Sequence, residues 1–400
     1  MSRYRSCEGL PRGCGPFFPG RRGADAYGVG APYDGHVRVL LVEPYYGGSH
    51  KAWADGYGAH SAYDVTLVSH PARFWKWRMH GAHLTLAADL AQRHEEPPDV
   101  VLASSMMSVG GFAGAARHTI GSAPIAVYFH ESQFAYPLSP LDRPDLTYPM
   151  ANWSSAAVAD LAIFNSEFHR ALFFEEAGRF LRQFPDQRQG HMVGDVRERS
   201  IVLPVGVDLG RLGTRSGRGD GPPLILWNQR WEHDKGPDEF VALIEALIAE
   251  GADFDVAVVG ERFVSAPESF DRLPGLLGDR LVAFGFVPDE EYVDLLGRAD
   301  IVVSTAQHEF FGIAIVEAMA SRAFPVLPNR LVYPERIPKG HRDRCLYDDA
   351  NALVSRVRWA IDHPLEAATV AEELGGTVGA YDWTAVAPAY DAVLESLASE

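Results

Sequence analysis

The chain is poor in cysteine and in cations, and it has no long apolar run. Its three cysteines, Cys7, Cys14 and Cys345, are scattered. That gives neither a disulfide framework nor a metal-ligand spacing, and it fits a reducing, cytoplasmic setting. No apolar stretch approaches the roughly 20 residues needed to span a bilayer, and no charged-then-apolar leader is visible near Met1, so neither a membrane span nor a secretion signal is expected. Lysine and arginine number 36 against 53 aspartate and glutamate, for a formal net charge of -17. An acidic chain repels nucleic acid on average, so RNA could bind only through a local basic patch.

What is present is ample apolar material, 47% of 400 residues, enough for two cores. Residues 1–35 are rich in Gly, Pro and Arg without periodicity and read as a disordered tail. Short aliphatic runs then recur between helix-like stretches: Val37–Val42, Asp64–Val68, Asp99–Ala103, Ile125–Phe129 and Leu161–Asn165. Such runs are buried parallel strands of βα units. After a Gly/Arg-rich linker at 209–223 the pattern restarts with Leu224–Trp227, Phe254–Gly260, Leu281–Phe284, Asp300–Ser304 and Phe324–Leu327. The expected fold is therefore α/β, with two Rossmann-like doubly wound domains, 36–208 and 224–378, facing each other across a cleft. An amphipathic segment within 379–400 reads as a closing helix.

Five strings could carry chemistry. Glu309 and Glu317 are eight residues apart, with Gly312 between them at an expected helix start. Glycine lets a diphosphate approach the backbone, and a helix N-terminus offers free N–H groups. Arg230 and Lys235 follow a strand and could clamp a diphosphate without a metal. The loop with Gly47, Gly48, His50 and Lys51 allows close approach of phosphate or acceptor, but it is no GxGxxG fingerprint, which disfavours a dinucleotide enzyme. His130, Glu131 and Gln133 stand at the end of an apolar strand. Arg73, Lys76 and Arg78 alternate with Phe74, Trp75 and Trp77, the composition of a phosphate or nucleic-acid contact. Taken singly, each string also has a plain structural explanation: solvated glutamates, a surface ion pair, a structural histidine, a lid helix.

Together, the Glu309/Glu317 pair, Arg230/Lys235, Gly47/Gly48 and the string Gly285–Pro288 resemble the retaining GT-B enzymes of glycosyltransferase family 4. The strings LeuValGluProTyrTyrGlyGlySerHisLys, ArgPheTrpLysTrpArgMet, PheHisGluSerGlnPhe and TrpAsnGlnArgTrpGluHisAspLysGly look like the tRNA-queuosine mannosyltransferase family. The resemblance implies transfer of mannose from GDP-mannose to queuosine in tRNA, with retention and without a metal or other cofactor. It further implies a catalytic set of Arg230, Lys235, Glu309 and His130, and donor contacts at Gly47, Gly48, Val287, Phe311, Gly312, Ile313 and Glu317. Acceptor contacts would come from His50, Lys51, Arg73, Lys76, Arg78, Glu131 and Gln133. Two alternatives stay open: a small-molecule or lipid acceptor, and a nucleotide-sugar-binding module without catalysis.

Overall fold

A computed structural model describes residues 36–134, 145–212, 221–261 and 268–399. The expected tail at 1–35 and linker residues 213–220 lie outside the described residues.

Two six-stranded parallel sheets form the frame. The first runs β2 (Asp64–Pro71), β1 (Arg38–Tyr46), β3 (Val100–Ser104), β4 (Ile125–Phe129), β5 (Leu161–Phe164), β6 (Ser200–Val202). The second runs β12 (Leu346–Tyr347), β11 (Phe324–Pro328), β10 (Ile301–Val303), β7 (Leu224–Trp227), β8 (Asp255–Val259), β9 (Leu281–Gly285). The central strands β3, β4 and β7 are buried along their whole length, which is why they read as unbroken apolar runs rather than alternating ones.

In each sheet the chain begins in the middle, winds one way, then returns to wind the other. The order therefore reverses between β1 and β3 in one half, and between β7 and β10 in the other. Helices diverge at such a switch point and leave a crevice beyond the strand ends, where ligands bind in open α/β sheets. The loop after β1 carries Gly47 and Gly48. The loops after β7 and β10 carry Arg230, Lys235 and Glu309. The sequence motifs thus stand at both switch points.

The last helix, Trp383–Ala398, returns from the second domain to the first. Asp391 on it accepts hydrogen bonds from Tyr57 Oη (2.9 Å), Ser61 Oγ (2.6 Å) and the Ala62 N–H (2.8 Å). Tyr390 packs among Tyr57, Tyr128 and Trp383, and its hydroxyl donates to the Pro204 carbonyl at 3.0 Å. A second tie lies on the cleft: Glu335 accepts the N–H groups of Glu167 and Phe168, which open the helix Glu167–Leu181, at 3.3 and 2.6 Å. A carboxylate at a helix N-terminus meets both free donors and the positive end of the helix dipole.

Candidate active site

Glu309 organises the second domain's side of the cleft. Its Oε1 accepts the N–H groups of Phe310, Phe311 and Gly312 at 3.0, 3.2 and 3.1 Å. Gly312, at φ 83°, makes the left-handed turn that lets the helix Ile313–Ala320 start there. The other oxygen, Oε2, lies 3.3 Å from Lys235 Nζ. Burial pushes the Glu309 carboxyl up, but the Lys235 ammonium, the backbone donors and Arg230 outweigh it and hold the group at about 2. It is therefore an anion at neutral pH. Lys235, itself buried, also reaches the His308 carbonyl at 2.7 Å and Asp234 Oδ2 at 3.0 Å. Desolvation works against its charge, while Glu309 and Asp234 more than restore it. Arg230 is half exposed and pairs with Glu232 at 3.2 Å.

Behind this loop lies a cavity of about 300 Å³ lined by Asn228, Arg230, Gly260, Phe286, Val287 and Tyr292. Glu317 borders it through Tyr292, whose hydroxyl donates to Glu317 Oε2 at 2.8 Å. Arg211 donates to the other oxygen at 2.5 Å and also pairs with Asp289. Glu317 is thus already engaged on both oxygens, and a ribose diol must share it or displace Arg211.

On the first domain's side, Glu43 is fully buried in the second half of β1. Its Oε1 accepts the Tyr45 N–H at 2.7 Å, and its Oε2 lies 3.0 Å from His50 Nδ1 and 3.9 Å from His130 Nε2. The two imidazoles are tilted against each other with centroids 4.1 Å apart. Their protonation diverges. Desolvation opposes charge on His50, but Glu43 outweighs it and raises the group. His130 is held well below its ordinary range by burial, with His50 and His169 adding repulsion. The two adjacent rings are thus pushed in opposite directions, and among the described residues His130 Nε2 has no hydrogen-bond partner. Glu43, His50 and His130 bring one oxygen and two nitrogens within 4.8 Å of one another, the one group among the described residues with the donors for a metal ion.

The two sides touch. Asn165 donates to the His130 carbonyl at 2.9 Å and its Oδ1 lies 2.9 Å from His169 Nδ1. The His169 ring stacks on Phe310 at 3.9 Å, one residue from Glu309. A contact path from His130 to Glu309 thus crosses the cleft.

The other expected site residues divide. Gln133 is fixed by Asn152, which accepts its N–H at 2.8 Å, and its amide donates to Glu131 at 3.0 Å. Val287 lines the cavity. Ile313 opens the helix after Gly312. The Phe311 side chain turns away into the core, against Arg336 and Tyr381, so only its backbone faces the loop. Lys51 points outward and pairs with Asp55 one helical turn on. Arg73 and Lys76 are exposed beyond β2, and Arg78 donates to the Pro71 carbonyl at 3.3 Å. Sequence reasoning missed Glu43, Asn165, His169, Arg211 and Tyr292. A carboxylate ending the apolar run Leu40–Val42 was a usable signal for Glu43. Arg211, in a Gly/Arg-rich stretch, gave none.

Comparison with known proteins agrees with this geometry. Residues 38–207 match the family described as tRNA-queuosine alpha-mannosyltransferase N-terminal, and residues 214–373 match glycosyl transferases group 1. A tRNA-queuosine alpha-mannosyltransferase of Drosophila melanogaster is 35% identical over 332 residues, covering 80% of this chain and 85% of the relative. The sucrose-phosphate synthase of Thermosynechococcus elongatus superposes with a TM-score of 0.68 at 16% identity, over 91% of this chain and 100% of that one. An Anabaena protein solved with UDP and glucose gives 0.66 at 18% identity, over 90% and 100%. At such identities these structures speak for the fold alone. Two facing parallel sheets with a site at both switch points define a GT-B glycosyltransferase, an enzyme that moves a hexosyl group. The chain belongs to the tRNA-queuosine alpha-mannosyltransferase family.

Proposed function

We propose that this protein transfers an α-linked mannosyl group from GDP-mannose to queuosine in tRNA, with retention and without a metal ion. The observation that carries the acceptor assignment is the family match over 38–207, the half that holds His50 and His130. The Drosophila relative, a tRNA-queuosine alpha-mannosyltransferase, supports mannose and queuosine, and the family resemblance supports GDP. The division of labour follows: acceptor on 36–208, donor on 224–378, in a cytoplasmic enzyme.

The base would lie in the cavity beside Val287, and the ribose diol at Glu317 and Tyr292. Lys235 and Arg230 face the diphosphate, where negative charge grows as the bond from the anomeric carbon to the phosphate oxygen breaks. The backbone N–H of Ile313, at the helix start that Gly312 opens, adds to them, and the Gly47–Gly48 turn closes from the other side. Anionic Glu309 accepts hydrogen bonds from sugar hydroxyls. The acceptor hydroxyl attacks the same face, and its proton leaves with the departing diphosphate oxygen. His130 Nε2, buried and without a partner, faces the sugar. His50, Glu131 and Gln133 line the acceptor's entry. Arg73, Lys76 and Arg78 meet tRNA phosphates, with Lys51 at the rim.

The test is incubation with GDP-mannose and queuosine-containing tRNA, followed by digestion and mass analysis of the nucleosides. A gain of one hexose on queuosine is expected. Release of mannose without any change in the tRNA would overturn the acceptor, and use of UDP-glucose in preference would overturn the donor.

A further inference from the structure

We propose that Phe74 and Trp77 form a stacking platform for unpaired bases of an RNA loop, set beside the entrance to the active site. This rests on the tRNA reading above and adds which part of the RNA is held there.

Of the three aromatics between Arg73 and Arg78, one is accounted for by the protein's own packing. Trp75 leans on Tyr148 with centroids 5.2 Å apart. The other two face solvent: Phe74 is 78% and Trp77 64% exposed. Trp77 lies along its own helix, so that a side chain at Gly81 would come within 3.3 Å of the indole. Its outer ring face is left open.

Phe74 adds a second observation. It caps the helix Trp75–Arg93 in the left-handed conformation, at φ 54°, and supplies no side-chain capping hydrogen bond. A short polar residue tolerates that conformation and caps the helix, whereas an exposed phenylalanine does neither. The Phe74 carbonyl opens the helix by accepting from the N–H groups of Trp77 and Arg78, at 2.8 and 3.1 Å, but strain held at a residue whose ring stays in solvent marks a contact made with something else.

The charge identifies that partner. Between Asp64 and Asp89 the sequence has no aspartate or glutamate, yet holds Arg73, Lys76 and Arg78, in a chain of net charge -17. Cations interleaved with open ring faces match phosphates interleaved with bases. Bases in a duplex are stacked on one another and cannot offer a face, so the rings select unpaired nucleotides. Position agrees: Tyr46 pairs with Pro71 across β1 and β2, and a Cβ on Gly47 would stand 2.4 Å from that of Ala72. The platform therefore abuts the glycine loop that leads to His50.

The experiment compares binding of a tRNA-derived stem-loop and a fully paired RNA duplex of equal strand length to the full chain. Wild type should prefer the stem-loop. The double variant Phe74→Ala/Trp77→Ala should lose about 100-fold on the stem-loop, while duplex binding, GDP-mannose binding and melting temperature hold. Phe74→Tyr/Trp77→Phe, which keeps both rings, should retain the preference. Stem-loop binding by the alanine variant equal to wild type would overturn the platform and leave the transfer reaction standing. A large fall in melting temperature in both double variants would make the rings structural and also overturn it. Absence of RNA binding by wild type would instead bring down the tRNA reading itself.

Discussion

Glu43 Oε2 lies 3.0 Å from His50 Nδ1, and the carboxylate that makes this contact has no exposure to solvent. A charge buried this way is tolerated only when it is paired and hydrogen-bonded. Here the Tyr45 N–H and the His50 ring supply the partners. The consequence reaches the cleft: of two adjacent imidazoles, one has its pKa raised by Glu43 and the other has its pKa lowered by burial.

Glu43→Gln tests this relationship. The shape is nearly kept, while the charge that raises His50 is removed. The expected result is a fall in kcat of roughly 10-fold near neutral pH, the scale of about one pKa unit of lost charge interaction on the acceptor side. Because Glu43 raises the His50 pKa, its loss should move the alkaline limb of the kcat profile to lower pH. A variant with reduced kcat and an unmoved profile would show Glu43 to be only structural.

Lys235→Ala should lower turnover by about 100-fold under saturating donor, the scale of losing one preorganised charge at the leaving group. It also removes the ion pair that holds Glu309 Oε2 at 3.3 Å. Lys235→Arg should rescue little, because the buried ammonium has three acceptors around it and no room for a planar fork. An unchanged kcat in Lys235→Ala would take this residue out of the reaction.

Chelation should leave activity intact. In the proposed reaction two cations, Arg230 and Lys235, take the place of a divalent ion at the diphosphate, and Glu43 Oε2 already shares a hydrogen bond with His50. The measurement is the rate after extended dialysis against EDTA. Loss of activity restored by Mg²⁺, Mn²⁺ or Zn²⁺ would sink the prediction and direct attention to Glu43, His50 and His130.

Acid should destabilise the fold beginning near pH 6.5. His308 is lowered from 6.5 to about 4 by burial and by Lys235, and His130 and His169 are held well below the usual range. Between pH 6.5 and 4 the unfolded chain binds protons that the folded chain refuses, so stability falls as pH falls, by up to roughly 1.4 kcal/mol per pH unit for each such group. His50 acts in the opposite sense: its pKa is raised, so its contribution is present at low pH and lost as pH rises through the folded value. Glu309, lowered to about 2 from 4.5, adds a further loss below pH 4.5. Melting temperatures from pH 8 to pH 4 give the check; a flat profile would contradict the burial of these rings.

The α/β class and the doubled winding are legible in the linear order of residues. Buried parallel strands must be continuous apolar runs, and runs such as Ile125–Phe129 and Leu224–Trp227 keep that signature without neighbours. That order also places the Arg230/Lys235 and Glu309/Glu317 strings at strand ends, because a parallel strand delivers its next residues to one edge of the sheet. Which side chains meet is settled by the packing of distant elements. Glu43 and His130 are separated by two further strands in sequence, yet lie 3.9 Å apart, since the sheet order reverses between β1 and β3. Arg211 reaches Glu317 over more than a hundred residues. The direction of Phe311 into the core, and of Phe74 and Trp77 away from it, depends on neighbours supplied by other elements. Strand and helix periodicity is local and survives in a linear reading; a contact, and the protonation it imposes, belongs to two distant segments at once.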